Sequence, residues 1–131
     1  MNLTIRVITP DKIIWDAPAE EVLLPSSTGQ LGILKNHIPL LTALDIGVMR
    51  IKLSSGETWI FLGGGFAEIE NNRITILSND AEEKTSIDLN AARKELDRVN
   101  LLIGKVVTKK EIIQSTIELR KAKARLQAAS S

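Results

Sequence analysis

His37 is the only histidine in the chain and the side chain best suited to exchanging protons near neutral pH. It lies between two apolar runs in the stretch GQLGILKNHIPLLTALDIG, residues 29–47. A catalytic histidine needs a nucleophile or a metal as its partner, and the sequence provides no cysteine, no second histidine and no acidic cluster beside it. Ser26 and Ser27 are nucleophiles by type, but they lie in a turn-forming segment. We therefore expect no catalytic residue, and a structural or interface role for His37.

Three consecutive glycines, Gly63 to Gly65, are also a candidate phosphate-binding site, because glycine-rich loops can enclose phosphate groups. A Walker loop ends in Gly-Lys-Ser/Thr and opens a helix, and a dinucleotide-binding loop also precedes a helix. Here the residues that follow, FAEIE, alternate as a strand does. The glycines therefore indicate a bulge or a close approach of another backbone segment.

The composition argues against several other classes of protein. With no cysteine, the chain can form no disulfide and no thiolate metal site. An aromatic content of 3% leaves few rings to stack on bases or sugars, and a net charge of +1 gives no general attraction to nucleic acid. No apolar run approaches the roughly 20 residues that span a bilayer, and the beginning, MNLTIRVITPDK, lacks the features of a targeting peptide. We expect a soluble protein that needs no cofactor or metal and works where it is made.

The first part of the chain, residues 3–78, has the pattern of many short strands. In LTIRV, residues 3–7, apolar and polar side chains alternate as in a half-buried strand. Further strand-like runs include TWIFL, residues 58–62, and FAEIE, residues 66–70, with PSSTG, SSGE and NN as turn signals between such runs. This spacing predicts an antiparallel sandwich or flattened barrel.

The last part of the chain, after Asp80, changes to a helical period. Apolar residues at spacings of three and four form one stripe: Leu89, Ala92, Leu96, Val99 and Ile103. Asp88 is placed to cap this helix, Gly104 ends it, and Thr108 to Glu111 has the form of a capping box that opens a second helix. In the second helix a seven-residue repeat contains Ile112, Leu119 and Leu126. The sequence therefore predicts a two-helix hairpin with a thin aliphatic seam.

Charge is distributed unevenly along the chain. Seven basic and two acidic residues follow Gly104, which gives this segment a local charge of +5. A basic face on a helical arm fits an acidic partner surface, and a merely solvated face is the alternative that the sequence leaves open. The first helix mixes both signs, and pairs such as Glu95 with Arg98 contribute only about a few tenths of a kcal/mol. Because an isolated hairpin of this kind is marginal in water, it must lean on the sandwich or on a partner.

Two longer stretches carry a resemblance to a known family. They are TGQLGILKNHIPLLTALDIG, residues 28–47, and GGFAEIENNRITIL, residues 64–77, and a charged helical hairpin follows them. The sequence resembles the ε subunit of F-type ATP synthase, specifically the plastid and cyanobacterial type. The resemblance covers essentially the whole chain, although the helical part matches mainly in pattern.

The resemblance implies a fold and a role. The fold is mainly β plus α: an N-terminal ten-stranded β-sandwich, residues 1–85, that binds the central stalk, and a C-terminal antiparallel two-helix hairpin, residues 86–131, that acts as a regulatory arm. The role is that of a non-catalytic subunit that links the γ subunit to the c-ring in rotary coupling and inhibits ATP hydrolysis through the hairpin. The alternative, from a different class, is a free-standing β-sandwich interaction module that oligomerises through its hairpin.

The resemblance also implies a location and a set of partners. The chain would be peripheral on the thylakoid membrane, on the stromal side in a plastid or the cytoplasmic side in a cyanobacterium. Its partners would be the γ subunit, the c-ring and the β subunit of the synthase, with no nucleic acid and no free small-molecule substrate.

Two sets of residues are implied as partner sites. The contact with γ and the c-ring would involve Leu31, His37, Ile38, Pro39, Leu40 and Thr42. The contact with an acidic loop of the β subunit would involve the basic residues Arg120, Lys121, Lys123 and Arg125. A contact of the second kind should weaken with salt, because salt screens exposed charges.

One departure from the family pattern concerns ATP. Some bacterial relatives bind ATP through an Ile/Leu-Asp-x-x-Arg-Ala motif at the start of the first helix. Here the residues from Ile87 to Ala92 read IDLNAA, so Ala91 occupies the arginine position. This loss removes a natural phosphate partner, and Arg93 would point to a different side of the helix. We expect weak or no nucleotide binding.

Overall fold

The computed structural model describes residues 3–131, which form a β-rich body followed by two helices. Within these residues there are eight strands: β1 Leu3–Ile8, β2 Ile13–Ala19, β3 Glu21–Ser26, β4 Gly29–Leu34, β5 Leu40–Leu53, β6 Gly56–Glu70, β7 Arg73–Leu77 and β8 Ala81–Glu83. A short 3-10 helix, Lys84–Ser86, leads to the helices α1 Leu89–Ile103 and α2 Lys109–Ser130. Residues 1 and 2, with which the predicted sandwich region begins, lie outside the described range. The predicted class, mainly β with a C-terminal helical pair, is confirmed.

The strands form one hydrogen-bonded sheet that folds back on itself. Its order is β2-β1-β7-β6-β5-β3-β4, and β8 pairs with β6 outside this path. All of these pairings are antiparallel except that of β1 with β7. Inward side chains from the whole length of the sheet meet in one core, and the edge strand β2 also contacts β5. The sheet therefore encloses its own apolar interior, as a sandwich does.

Strand alternation decides which side chains enter this core. In β1, Leu3, Ile5 and Val7 are fully buried, while Thr4 and Arg6 face solvent. The other large aliphatic members are Val22, Leu24, Ile33, Met49, Ile51, Ile60, Leu62, Ile69, Ile74 and Ile76. Fully burying a side chain of this size contributes about 1.5–3 kcal/mol. The sandwich is thus the more stable part of the molecule.

The number of strands differs from the ten that are predicted, because β5 and β6 are continuous over 14 and 15 residues. The runs TWIFL and FAEIE belong to the single strand β6, which passes through Gly63, Gly64 and Gly65. Gly65 has a φ of +136°, and a Cβ there would collide with the carbonyl oxygen of Leu77. Gly65 therefore lets β7 approach closely without ending β6, which confirms the predicted close backbone approach.

Side-chain caps begin both helices as predicted. Asp88 accepts hydrogen bonds from two backbone N–H groups at the start of α1, that of Asn90 at 2.9 Å and that of Ala91 at 3.1 Å. Thr108 accepts one from the N–H of Glu111 at 3.1 Å, and its hydroxyl lies 2.6 Å from the Glu111 carboxylate. These bonds satisfy backbone donors that a helix leaves without an internal partner.

The seam between the helices contains smaller residues than the sequence pattern predicts. Counting the contacts with each other and with the sandwich, the buried residues of the helices are Ala92 and Val99 in α1 and Ser115, Ala122, Ala124 and Ala128 in α2. Leu119 and Leu126 are half-buried, but Ile112, the first member of the predicted repeat, is 48% exposed. The repeat fails because α2 contacts both α1 and the sandwich, so its buried face is shared between two neighbours.

The hairpin lies against the outside of the sheet. Phe61 is fully buried although it neighbours Ile60 and Leu62, which point into the main core from the same strand. Its side chain forms a second cluster with Ile87, Ala92, Ala124 and Ala128. Apart from Phe61 and Ile87, the buried members are alanines, and Ile46, Val48 and Leu126 pack against them only partly buried. This contact therefore buries less apolar area than the main core does.

Candidate functional site

The segment around His37 connects β4 to β5 at the surface. Ile38 is 74% exposed, Pro39 is also exposed, and His37 is half-buried. The Nδ1 of His37 lies 2.7 Å from the carbonyl oxygen of Ile38, which can only accept, so Nδ1 is the donor in this contact. The imidazole therefore holds the local backbone, and the interface role of this segment stays a prediction.

A hydrogen bond ties this segment to the turn between β6 and β7. Asn36, which has a φ of +67°, donates its backbone N–H to Oδ1 of Asn72 at 2.6 Å. Asn72 in turn accepts at its carbonyl oxygen from the N–H of Thr4 at 2.9 Å. The exposed side chains of Ile38 and Pro39 are thus displayed on a segment that is anchored to the sandwich.

Strand alternation separates the other residues of the predicted γ and c-ring contact. Leu31 and Leu40 pack against the main core, and Thr42 is half-buried. Leu41, which the sequence reasoning did not select, points outward and is 69% exposed. The structure therefore brings segment 37–39 to the surface and turns Leu31 and Leu40 toward the interior.

An apolar surface that the sequence reasoning missed lies on the outward face of β5, β6 and β7. Phe66 and Leu77 pair across β6 and β7 and are 57% and 53% exposed. Ala43 pairs with Phe66 from β5, and Leu41 lies two residues before Ala43 on the same face. We call these four residues the apolar sheet face. The available signal was Phe66 itself, because alternation in FAEIE places it on the face of Glu68, where a polar residue is usual.

A groove of about 370 Å³ adjoins the apolar sheet face. Phe66 and Leu77 line it together with Ile8, Pro10 and Ser78. The hydroxyl oxygen of Ser78 lies 2.6 Å from the carbonyl oxygen of Gly64 and 2.9 Å from that of Asp80, so its single O–H is shared between them or directed to one of them, and it holds the neighbouring turn. The groove extends the exposed apolar surface to the end of β1.

Three of the four predicted basic contact residues are engaged within the chain. The ion pairs are Arg120–Asp45 at 2.5 Å, Lys121–Asp80 at 3.7 Å and Arg125–Glu82 at 2.5 Å. Lys123 is exposed, and it makes no ion pair with the part of the chain that the structure describes. Sequence reasoning found the basic face but not these partners, which for Arg120 and Arg125 lie 75 and 43 positions away.

Hydrogen bonds from arginine lower the pKa of two carboxyl groups. The bond from Arg120 is the main reason that the pKa of Asp45 lies below its ordinary 3.8, and a bond from the N–H of Ile46 adds to the effect. In α1, hydrogen bonding from Arg98 holds the pKa of Glu95 below its ordinary 4.5. The predicted Glu95–Arg98 pair is confirmed at 2.7 Å. Both carboxylates are therefore ionised at neutral pH.

The residues that are reactive by type are used to hold the backbone. The hydroxyl of Ser26 donates to the carbonyl oxygen of Gly29 at 2.5 Å and lies 3.2 Å from the hydroxyl of Thr28. Between residues 3 and 131, no three His, Cys, Asp or Glu side chains are grouped as a metal site needs them. No helix in the same range is both long enough and apolar enough to cross a bilayer.

The groove at the position of the bacterial ATP motif has mixed charge. Ala91 lines a groove of about 330 Å³ between α1 and α2, together with Glu95, Glu118, Lys121 and Arg125. The two carboxylates oppose a phosphate group, and both basic side chains are paired with carboxylates of the sandwich. This lining favours weak or absent nucleotide binding, which stays a prediction.

Comparison with known proteins decides the family. Residues 2–84 match the family described as ATP synthase, Delta/Epsilon chain, beta-sandwich domain. The chain is 65% identical over 130 residues to the chloroplastic ATP synthase epsilon chain of Emiliania huxleyi, with 98% of each chain covered. This chain belongs to the ATP synthase delta/epsilon chain family. It is also 53% identical to the ATP synthase epsilon chain of Synechococcus sp. (strain PCC 6716). That match extends over 132 residues and covers 98% of this chain and 96% of the relative.

Solved structures of ATP synthases contain the same fold. A chain in the mitochondrial ATP synthase of Euglena gracilis superposes with a TM-score of 0.83 at 20% identity, over 99% of this chain and 82% of that one. One in the mitochondrial ATP synthase of Tetrahymena thermophila gives a TM-score of 0.63 at 15% identity, over 98% and 97%. At these identities the likeness concerns the fold alone.

Membership of the epsilon chains confirms the predicted class of function. The chain is an accessory subunit of a rotary, membrane-associated ATP synthase, and it is not the catalytic subunit. The resemblance to the plastid and cyanobacterial type is confirmed by relatives of both origins. The functional sites of such a subunit are surfaces for other subunits.

Proposed function

We propose that the sandwich joins the γ subunit to the c-ring, and that the hairpin restrains ATP hydrolysis. The observation that carries the first part is the apolar sheet face, which lies on a rigid, aliphatic-cored body. Contiguous exposed apolar surface on a soluble protein marks an interaction site. A joint in a rotating stalk must transmit force without deforming, and a close-packed core resists deformation.

The solved relatives support these partners. The Euglena gracilis chain belongs to an assembly described as OSCP/F1/c-ring, and the Tetrahymena thermophila chain to one described as central stalk/c-ring. For the present chain, the apolar sheet face and segment 37–39 are the surfaces that we assign to γ and the c-ring. Leu31, Leu40 and Thr42 then act from behind this surface, by fixing its backbone.

The restraint of hydrolysis is assigned to α2. Its basic residues Arg120, Lys121, Lys123 and Arg125 would contact an acidic loop of the β subunit. The local charge of +5 after Gly104 supports an acidic partner. This contact requires the hairpin to leave the sandwich, because three of the four side chains are paired with sandwich carboxylates.

The location follows from the assembly. We assign the chain to the surface of the thylakoid membrane, on the stromal side of a plastid or the cytoplasmic side of a cyanobacterium. Chloroplastic and cyanobacterial epsilon chains among the relatives support this assignment. The division into a stalk-binding region, 1–85, and a regulatory arm, 86–131, belongs to the same proposal.

The attachment is tested with a full-length variant that carries Phe66→Asp and Leu77→Asp. Charges placed in an apolar interface must be desolvated, so binding to purified γ should weaken by about tenfold or more. Ile13→Asp is the matched control, because Ile13 is also 53% exposed but lines a separate surface beside Glu82. Unchanged binding by the double variant, measured by calorimetry, would contradict the assignment.

The restraint is tested by titrating the protein into a catalytic head that lacks its own ε, while ATP hydrolysis is followed. We expect inhibition to saturate near one copy per head. Replacing the four basic residues of α2 with glutamine should relieve inhibition but leave γ binding intact. Lys12→Gln with Lys52→Gln removes charge from the sandwich instead and should inhibit normally. Equal inhibition by the α2 variant would overturn the β-subunit contact.

A further inference from the structure

Three carboxylates on the sandwich face α2 and occupy its basic side chains. We call Asp45, Asp80 and Glu82 the acidic triad, and Arg120, Lys121 and Arg125 the basic triad. The two triads form the pairs Arg120–Asp45, Lys121–Asp80 and Arg125–Glu82. The last pair is bidentate, since Nε and Nη2 of Arg125 donate at 2.5 and 3.2 Å to the two carboxylate oxygens of Glu82.

The fold holds the acidic triad in position. Asp45 accepts a backbone hydrogen bond from Ile46 at 2.9 Å, which orients its carboxylate. Asp80 lies directly over Gly63: its carbonyl oxygen accepts from the N–H of Gly63 at 2.7 Å, and a Cβ at Gly63 would come within 2.9 Å of the Cβ of Asp80. Glu82 belongs to β8, opposite Phe61. Strand β5 and the segment that leads into β8 thus present negative charge to one face of α2.

The apolar part of the same contact is small. Its large buried side chains are Phe61 and Ile87, with Ile46, Val48 and Leu126 partly buried beside them. The α2 residues of this cluster that are fully or nearly buried are only Ala124 and Ala128. Little apolar area therefore resists separation of the hairpin from the sandwich. The ion pairs are partly exposed, at 28–47% of the side-chain surface, so salt can reach and screen them.

We propose that the acidic triad is an internal competitor that holds the hairpin docked and masks the basic triad from acidic partners. While α2 is docked, the sandwich carboxylates neutralise these cations and hold them against the sheet, which weakens their attraction to an external acidic surface. An acidic surface that replaces the acidic triad as the partner of these cations therefore releases α2. The effect of masking on ATP hydrolysis rests on the restraint proposed above. The docking of the hairpin by the three ion pairs does not depend on that restraint.

Docking is measured as a distance in the full-length protein. Because the chain has no cysteine, the exposed positions Glu57 in β6 and Gln127 in α2 can each receive a single cysteine for a spin label. The wild type should give one narrow distance distribution. Neutralising the acidic triad with Asp45→Asn, Asp80→Asn and Glu82→Gln should add a population at longer distances, as high salt should do in the wild type.

A matched control separates the ion pairs from net charge. Asp11→Asn, Asp16→Asn and Glu20→Gln make the same change of three charges at exposed sandwich positions away from α2. This control should keep the narrow distribution. The swap of Glu82→Arg with Arg125→Glu should restore part of the docking that either change alone removes. A triad variant that folds, by circular dichroism, and keeps the wild-type distribution would overturn the proposal.

The masking is then read from inhibition of ATP hydrolysis. Loss of three exposed pairs should shift the docking equilibrium by roughly tenfold, so the acidic-triad variant should reach half-inhibition at a correspondingly lower concentration than the wild type. Equal potency of the two proteins would contradict masking. If neither protein inhibits, the proposed restraint fails, and the distance distributions alone decide whether the acidic triad holds the hairpin.

Discussion

The sandwich and the hairpin are stabilised by different kinds of contact. The sandwich buries a continuous set of aliphatic side chains, many of them with no exposed surface. The hairpin buries mainly alanines, one valine and one serine, and it is attached through a small apolar cluster around Phe61 and three partly exposed ion pairs. Apolar burial is insensitive to modest salt, whereas exposed ion pairs are screened by it.

This difference fits the two roles that we propose for the protein. A subunit that joins rotating parts needs a body that keeps its shape under load, which the aliphatic core provides. A regulatory arm needs two arrangements of similar free energy, and an attachment with little buried apolar area provides that. Three large apolar residues are exposed near the connection between α1 and α2: Leu101, Val107 and Ile113. Their exposure fits an arm that contacts different neighbours in its two arrangements.

The largest expected effect comes from opening a cavity in the sandwich. Leu24 has no exposed surface, so Leu24→Ala should lower the free energy of unfolding by about 2–5 kcal/mol. Leu101→Ala, at a hairpin position that is 69% exposed, should change it by only about 0.5 kcal/mol. Urea unfolding followed by tryptophan fluorescence measures both. A similar decrease in the free energy of unfolding for the two variants would contradict the distinction between the sandwich core and the hairpin.

A second variant should release the arm without unfolding the body. Phe61→Ala removes the largest side chain buried under α2, so amide exchange in α2 should accelerate by about tenfold or more, equivalent to 1.4 kcal/mol. Protection in β1 and β7 should remain, because Phe61 lies outside the main core. Hydrogen exchange followed by mass spectrometry resolves these segments. Loss of protection throughout the chain would show that the two regions unfold together.

The smallest expected effect is a pH dependence of docking. The pKa of Asp45 is lowered in the docked state, chiefly by the hydrogen bond from Arg120. The contribution of the Asp45–Arg120 ion pair to the stability of the docked state is therefore fully present above pH 3.8. It is lost as the pH falls through the lowered pKa of Asp45. In Arg120→Gln, the Asp45 titration observed by NMR should move back toward 3.8. An unchanged midpoint in this variant would mean that the ion pair does not form in solution.

The sequence predicted the features that depend on local pattern. Both helix caps, at Asp88 and Thr108, and the Glu95–Arg98 pair follow from spacings of three residues or fewer, and all were found. The sandwich class followed from alternation, which is also local. The ten strands that the resemblance implied differ from the eight in the described residues, because β5 and β6 are long and continuous. Strand β6 passes through Gly63 to Gly65, and Gly65 avoids a clash with Leu77 of the neighbouring strand β7.

Features that depend on tertiary contacts could not be predicted in the same way. The partners of Arg120 and Arg125 lie far away in sequence, so no spacing rule pairs them. The buried face of α2 is set jointly by α1 and the sandwich, which displaces Ile112 from the seam. The apolar sheet face depends on the register of β5, β6 and β7, which places Phe66 between Ala43 and Leu77. This register cannot be read from the spacing of residues along the chain.

The difference between the two regions is tested most directly by hydrogen exchange of the full-length protein at low and high salt. Between roughly 10 mM and roughly 1 M sodium chloride, the Debye length falls from about 30 Å to about 3 Å. We predict that amides of α2 exchange faster at high salt, while those of β1, β6 and β7 keep their protection. Salt-independent protection of α2, or a parallel loss in the strands, would contradict an electrostatically held arm on a rigid body.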